Sequence, residues 1–531
     1  MIKTCKNCSQ NFEIREEDVA IYQKLDVPYP NYCPNCRAQR RTSFRNDWNV
    51  YNRKCDLCKK NIVSVYSTDK NVKVYCQECY WSDKWDGGQF AKDFDFNRSF
   101  FDQMKELISS VPLINLTMMN CINCEYNTNA VNSKDCYLSS RLGDSEGILY
   151  TYLPVKSLNC VDCFNINTCQ YCYECVDCWN CYNSIFCVRC KSTSDSSFCF
   201  ECISVKNCFG CVGLRNVEYY FFNQKCTKEE YEEKIRNVDI STHEKLLEMK
   251  RIFIKKVSKY PHRASVILNS ENVLGDYIAD SKNVYNSFDI EKSEDVVNSW
   301  GVEFAKDVYD GCFIYIGENV YDTIGNFDSQ NIRFSAFPYN CHDSYYLFSC
   351  FNNTGNCFGC VSLKQKQYCI LNKQYTKEEY EALLPRIIEH MKKTSEYGEF
   401  FPVSISPFAY NETVAYEFFP MTKDEVLACG LKWKDFERKN SSGLSEDIVS
   451  CIQCERIFKL IPKELAFYRE KKLPNPKKCH ICRHAERLNQ RNPRHLWTRN
   501  CAKCKVEIST GYSPERSETV YCESCYLSEV Y

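Results

Sequence analysis

Residues 159–181 read Asn159-Cys160-Val161-Asp162-Cys163-Phe164-Asn165-Ile166-Asn167-Thr168-Cys169-Gln170-Tyr171-Cys172-Tyr173-Glu174-Cys175-Val176-Asp177-Cys178-Trp179-Asn180-Cys181. Every cysteine in this stretch falls on one phase of a three-residue count. The phase holds outward in both directions: the 16 cysteines from Cys121 to Cys211 all share it. A longer period lies over it. Steps of 12 from Asn123 meet Asp135, Gly147, Asn159, Tyr171, Asn183, Asp195 and Asn207. A helix repeats every 3.6 residues and a flat strand every 2. A period of three inside twelve fits neither. It fits a narrow coil that closes in twelve residues and points every third side chain at its axis. The inward columns hold mainly Cys, Ser, Thr, Ala, Val and Ile, which are small enough for such an axis. Coils of this kind stack by β-ladder bonds at about 4.8 Å. The reading is a β-solenoid.

A second array follows with fewer cysteines. Asn283-Val284, Asp295-Val296, Asp307-Val308, Asn319-Val320 and Asn331-Ile332 step by 12. Valine here stands in a column that cysteine fills in the first array, so most of these cysteines read as packing residues. Two rival uses remain: disulfides between cysteines six apart, such as Cys163/Cys169, and metal along the columns. A slip of phase is expected near Asp343–Gly355. The twelve-residue pitch resembles the right-handed β-helix of beetle antifreeze proteins in geometry only, because their Thr-x-Thr face is missing. Each array ends in Thr-x-x-Glu, at Thr227 and Thr376, a capping box that predicts helices over about 228–236 and 377–392. Further helices are predicted over Glu244–Lys256, after Asn97, and behind the capping box at Thr422.

The two ends of the chain carry a different cysteine pattern. Cys5/Cys8, Cys33/Cys36, Cys55/Cys58 and Cys76/Cys79 recur 446 residues later as Cys451/Cys454, Cys479/Cys482, Cys501/Cys504 and Cys522/Cys525, without an insertion. Each CxxC is a knuckle that sets two thiolates on one turn. Two knuckles make the four-thiolate tetrahedron of a structural zinc site, so about four zinc ions per chain are expected. Spacing alone leaves the pairing of knuckles within a module open. Of 40 cysteines and 7 histidines, no His has ligand spacing with a carboxylate.

The stretch Cys5-Lys6-Asn7-Cys8, Phe12, Tyr22, Pro28, Cys33-Pro34-Asn35-Cys36-Arg37, and its repeat from Cys451 to Arg483, resembles the probable zinc-ribbon domain family. With Tyr51-Asn52-Arg53-Lys54-Cys55, Trp81-Ser82-Asp83-Lys84-Trp85-Asp86, Asp93-Phe94-Asp95-Phe96 and Trp433-Lys434-Asp435, the layout resembles uncharacterised proteins of Candidate Phyla Radiation type that carry this domain in duplicate. The resemblance implies zinc and no catalysis.

The net charge of the chain is −1, but it is unevenly spread. Residues 1–80 hold 14 basic against 9 acidic side chains, and residues 451–531 hold 16 against 9. Four-thiolate centres offset much of that excess. Arg37, Arg41 and Arg45 stand at helical i, i+4, i+8 spacing, and Arg483, Arg487 and Arg491 repeat them. Such a stripe suits polyanion contact, or else a solvated or salt-bridged helix face. Aromatic ladders are expected outside the coils: Tyr137, Tyr173 and Phe209; Phe164 and Phe200; Tyr285, Tyr309 and Tyr321. Another part of the same chain, the arrays themselves or segment 394–450, is expected to cover them.

The fold class expected is mainly β: two narrow twelve-residue solenoids with short helices, flanked at both ends by paired four-cysteine ribbons. The segments are 1–80 paired ribbons, 81–120 helical connector, 121–226 Cys-rich solenoid, 227–262 helical segment, 263–373 second solenoid, 374–393 helix, 394–450 connector and 451–531 second paired ribbons. Asn440-Ser441-Ser442-Gly443 is the expected flexible joint. The start of the chain lacks a signal-peptide core and no run of 18 apolar residues exists. Reduced thiols in the cytoplasm and no membrane association are therefore expected. No Walker loop, Rossmann glycine pattern, nucleophile elbow or HExxH is present, and an enzyme is the disfavoured reading. The function expected is a zinc-binding structural or interaction scaffold with a protein or nucleic-acid partner. The alternatives are RNA or DNA binding through the basic ribbon modules, and thiol redox or metal handling.

Overall fold

The computed structural model describes residues 1–436 and 447–530. The joint expected at Asn440–Gly443 lies outside the described residues, as does the side chain of Val320. Strands hold more of the chain than helices, 31% against 24%, in keeping with a mainly β class.

Two compact units form. One contains Met1–Asn115, Ser265–Lys434 and Ser509–Gly511; the other contains Leu116–Ala264, Asp435–Ile508 and Tyr512–Tyr531. The N-terminal cysteine module thus shares a unit with the second array, and the C-terminal module shares one with the first.

In the unit of the first array, strands Thr128–Val131, Ser140–Gly143, Tyr152–Val155, Phe164–Asn167 and Val176–Trp179 pair in parallel. Tyr152 faces Phe164, and Phe164 faces Val176, so each partner lies one twelve-residue period further on. Bridges such as Lys134 to Glu146 and Ser197 to Phe209 keep the same step elsewhere in the repeat. The second array pairs likewise, Val284 with Val296 and Val296 with Val308. It breaks register twice, between Leu274 and Gly275 and between Tyr339 and Cys341. The sequence shows the second slip; the first rests on one glycine. A Cβ at Gly275 would lie 1.9 Å from the Ser287 carbonyl oxygen, so the shifted strand fits only without a side chain.

The backbone explains the three-residue count. From Asn159 to Asn183 every third residue has a positive φ between 46° and 55°: Asn159, Asp162, Asn165, Thr168, Tyr171, Glu174, Asp177, Asn180 and Asn183. Each precedes an inward-pointing residue. Asn and Asp recur there because they tolerate the left-handed region better than other side chains. Their side chains also stack. The Asn123 amide donates to Asp135 at 2.7 Å, Asn183 to Asp195 at 2.8 Å, Asn283 to Asp295 at 2.9 Å and Asn331 to Asp343 at 2.7 Å.

The inward cysteines form one buried cluster from Cys124 to Cys211. None of the 40 cysteines is disulfide-bonded. Their thiols donate to main-chain carbonyls: Cys172 to Gln170 at 3.4 Å and to Cys181 at 3.6 Å, Cys187 to Ile185 at 3.6 Å and to Ser196 at 3.7 Å. Ser184, on the same phase, makes the same two bonds, to Tyr182 and Thr193. A protonated thiol here does the work of a hydroxyl. Cys187→Ser is therefore expected to cost no more than about 1 kcal/mol, read by urea unfolding; a loss above about 3 kcal/mol would mean that sulfur chemistry holds the axis.

The helices follow their caps. Thr227 and Thr376 close capping boxes on Lys228–Arg236 and Lys377–Lys393. Thr422 closes a third on Lys423–Ala428. Helices Phe100–Ser110 and His243–Val257 complete the expected set.

Candidate metal centres

The first and third CxxC of each module sit on a closed turn. Cys5 N–H donates to Gln10 O at 2.9 Å while Ser9 N–H returns to Cys5 O at 3.0 Å. The same two bonds recur at Cys55, Cys451 and Cys501. The residue after each knuckle is left-handed: Ser9 (φ 59°), Lys59 (64°), Glu455 (60°) and Lys505 (66°). Each second knuckle opens a helix instead. Cys33, Cys76 and Cys479 are the residues before the first helical turn of Pro34–Thr42, Gln77–Tyr80 and His480–Leu488, and Cys522 precedes Glu523–Val530. The positive end of a helix favours thiolate over thiol.

The knuckles pair within each module as first with second and third with fourth. Four groups result: Cys5, Cys8, Cys33 and Cys36; Cys55, Cys58, Cys76 and Cys79; Cys451, Cys454, Cys479 and Cys482; Cys501, Cys504, Cys522 and Cys525. Within each group all four sulfurs lie within 4.8 Å of one another. Across the knuckles, sulfurs stand 3.7 Å apart for Cys8–Cys33, 3.8 Å for Cys58–Cys76, 3.6 Å for Cys454–Cys479 and 3.6 Å for Cys504–Cys522. A tetrahedron with metal–sulfur bonds of about 2.3 Å has edges of about 3.8 Å. The sulfur cages therefore have the size of a four-thiolate metal site.

The main chain prepares the anionic form. Cys33 N–H points at Cys5 Sγ (3.2 Å), Cys76 N–H at Cys55 Sγ (3.3 Å) and Cys522 N–H at Cys501 Sγ (3.3 Å). Burial pushes the Cys55 thiol up, but the N–H groups of Cys76, Cys58 and Leu57 outweigh it and bring it to about 7. Cys501 is brought to about 6 by the same balance. These 16 residues could hold four metal ions, and four protein ligands leave none of the four tetrahedral positions to a substrate.

The arginine stripes face inward. In the unit of the second array, Arg37 donates to Asp310 at 2.9 Å and Arg41 to Asp322, with all four side chains at most 3% exposed. Arg45 pairs with Asp47 at 2.8 Å and lies over Phe313. In the other unit, Arg483 and Arg487 both bind Asp162, and Arg491 binds Asp177 at 2.8 Å. Arg487 also donates to Tyr150 O at 3.0 Å. Asp310, Asp322, Asp162 and Asp177 are corner residues of the arrays with left-handed φ. Two spacings match here. Arg37 and Arg41 lie four residues apart, a rise of about 6 Å on a helix. Asp310 and Asp322 lie one period apart, about 4.8 Å between paired strands. The helix thus lays consecutive guanidinium groups on consecutive corners. This corrects the polyanion contact expected of Arg37, Arg41, Arg45, Arg483, Arg487 and Arg491: they are buried, and carboxylates of their own chain occupy them.

Further carboxylates finish the contact. Arg40 binds Glu399 at 2.9 Å. Glu464 accepts from the Tyr150 hydroxyl at 2.6 Å, and burial holds its carboxyl above the ordinary range against the pull of Arg483. Burial, with Arg483 and Arg456 beside it, holds His480 down to about 3, so it is neutral at physiological pH.

The aromatic ladders are covered, but largely by the ribbon modules rather than by the parts expected. Tyr173 packs against Phe467 and Tyr468, Phe164 stacks on His484, and Tyr321 meets Tyr22 edge-on. Segment 394–450 covers other rings of the second array: Trp300 meets Phe418 and Phe419, and Phe334 meets Tyr397.

No protein-family model matches this chain, and no curated protein matches it either. Among the described residues no helix is long and apolar enough to cross a membrane.

Proposed function

We propose that the protein is a non-catalytic scaffold in which four zinc-bound ribbons, two per unit, each pair clamped to a twelve-residue β-solenoid, present stable surfaces to a partner. The observation that carries this reading is the set of four sulfur cages, each with all four sulfurs within 4.8 Å of one another and a cross-knuckle edge of 3.6–3.8 Å. Zinc suits them because all-thiolate closed tetrahedra are its structural form, and the cysteine spacings of ferredoxin clusters are missing. The solenoid part is supported by the parallel twelve-residue register, the left-handed corner at every third residue and the buried axis of small side chains. Membership of the probable zinc-ribbon domain remains a proposal carried by the duplicated Cys5–Arg37 and Cys451–Arg483 stretches. A reducing compartment such as the cytoplasm suits the axis thiols, which serve as hydrogen donors.

Native mass spectrometry of the purified chain tests the reading. Four zinc ions per chain are expected. Two or fewer would mean that half the cages are not metal sites. Eight or more would move metal into the axis, and bound iron would replace the structural-zinc assignment. Redox use of the knuckles is the weaker reading. It requires reversible disulfide formation at CxxC pairs that hold no zinc, because zinc-bound thiolates cannot join in a disulfide without releasing the ion.

A further inference from the structure

With the arginine stripes buried, the C-terminal ribbon module keeps a basic loop whose exposed cations have no counterpart in the N-terminal copy. The loop Arg469-Glu470-Lys471-Lys472-Leu473-Pro474-Asn475-Pro476-Lys477-Lys478 holds five cations and one anion. Arg469, Lys472 and Lys477 are exposed, and none of the three carries an ion pair among the described residues. The positions 446 earlier are Gln23, Asp26 and Asn31. Both copies nevertheless build the same helix, Glu16–Lys24 and Pro462–Glu470, each ending at this loop. The ribbon fold therefore does not need the cations.

Two exposed rings flank this loop within the same unit. Lys471 Nζ donates to Asn183 Oδ1 at 2.7 Å, which sets the loop beside Tyr182 and, one period back from Asn183, Tyr171. Tyr171 and Tyr182 are 38% and 48% exposed and meet edge-on with centroids 5.8 Å apart. They are aromatic residues of the first array that no ribbon covers. On the loop's other side, His243 Nε2 donates to Asn475 O at 2.7 Å. That joins the loop to helix His243–Val257, which carries five Lys and Arg residues against Glu244 and Glu248.

We infer that Arg469, Lys472 and Lys477, with Tyr171 and Tyr182, form a binding surface for single-stranded nucleic acid. Unpaired cations suit a phosphodiester backbone, whose counterions they release. Exposed rings beside them suit unpaired bases, which stack without regard to sequence. A folded acidic protein would use the cations and leave the rings idle. This inference does not depend on the scaffold reading or on the metal's identity.

The test uses the full-length, metal-loaded chain and fluorescein-labelled 20-nucleotide oligouridylate and oligothymidylate, followed by anisotropy across salt. The wild type is expected to bind with a log–log salt slope of about −2 or steeper, at about −0.7 per phosphate neutralised. Arg469→Gln, Lys472→Gln and Lys477→Gln together are expected to flatten the slope by about 2 and to weaken binding more than about tenfold at low salt. Tyr171→Ala with Tyr182→Ala is expected to weaken binding about tenfold with the slope unchanged. Both variants keep their zinc content and melting temperature, because none of the five side chains is buried. Binding of RNA and DNA alike supports a strand surface, and binding of RNA alone supports one that also contacts the 2′-hydroxyl. No wild-type binding at 50 mM salt, on the order of the low-salt end of such titrations, overturns the inference. So does binding unchanged in the triple variant, or preferential binding of a labelled oligo-glutamate peptide.

Discussion

Removal of metal by a strong chelator at neutral pH is expected to unfold the ribbon halves of both units. Structural zinc contributes about 10–16 kcal/mol per site in small modules. These ribbons consist of two- to four-residue hairpins and short helices around each cage, with little apolar core to replace it. The loss should spread into the arrays, because the helices that carry Arg37, Arg41, Arg483 and Arg487 begin at cage cysteines. Far-ultraviolet circular dichroism with limited proteolysis reads the effect. Cleavage is expected first between Cys5 and Cys79 and between Cys451 and Cys525, then along the arrays. An unchanged spectrum and protease pattern after complete metal loss would show that the cages are ornaments on a fold that stands without them.

Asp162→Ala should be the most damaging single change outside the cages. Two guanidinium groups, Arg483 and Arg487, share this carboxylate, which is 0% exposed. Breaking one buried ion pair by removing a partner costs about 3–5 kcal/mol, and here the removal takes a carboxylate from two guanidinium groups at once, leaving Arg483 only Glu464 at 3.4 Å. Asp177 pairs with a single guanidinium, that of Arg491, and Asp177→Ala is expected to cost about half as much. The double change Arg487→Met with Asp162→Ala should recover part of the loss, since a buried pair can be replaced by apolar groups at small cost. Urea unfolding of the three variants measures the order. Equal small losses for Asp162→Ala and Asp177→Ala would show that water or neighbouring carboxylates screen the site. In the other unit, Arg41→Glu sets a third carboxylate beside Asp322 and Asp310, and is expected to prevent folding rather than to spare it.

Sequence alone discloses what is local or periodic. The sixteen cage cysteines are legible because each pair needs only a turn and the whole set is written twice. The twelve-residue register is legible because a narrow axis admits few side chains and so repeats them. The left-handed corners carry a signal too: Asn or Asp precedes many of the inward residues, as at Asn123, Asp135, Asn159 and Asn183. The arginine stripes show the limit. Their spacing is visible, but a stripe bound to phosphate and a stripe bound to carboxylates look alike within its own segment. The deciding partners, Asp310 and Asp322, lie more than 250 residues from Arg37 and Arg41. The one available clue was that aspartates recur at the twelve-residue step, as Asp310 and Asp322 do, a step that a helix presenting every fourth residue can follow. The cover over the aromatic ladders was hidden for the same reason. Tyr468 and His484 belong to ribbon helices whose packing faces point at an array some 300 residues away in sequence.

The stacked amides of the array corners bear on how the molecule ages. At Asn123, Asn183, Asn283 and Asn331 a neutral amide donates to a carboxylate one period along. Hydrolysis of such an amide leaves a second carboxylate in its place. The rung then changes from a donor facing an acceptor to two like charges within hydrogen-bonding reach, and an attraction becomes a repulsion with one atom exchanged. Asn183 is followed by Ser184, a small residue that offers little steric protection to the reacting main chain. Wear in this protein would therefore begin at its corners, as slow loss of ammonia, while the thiols at its axis stay sealed from the solvent.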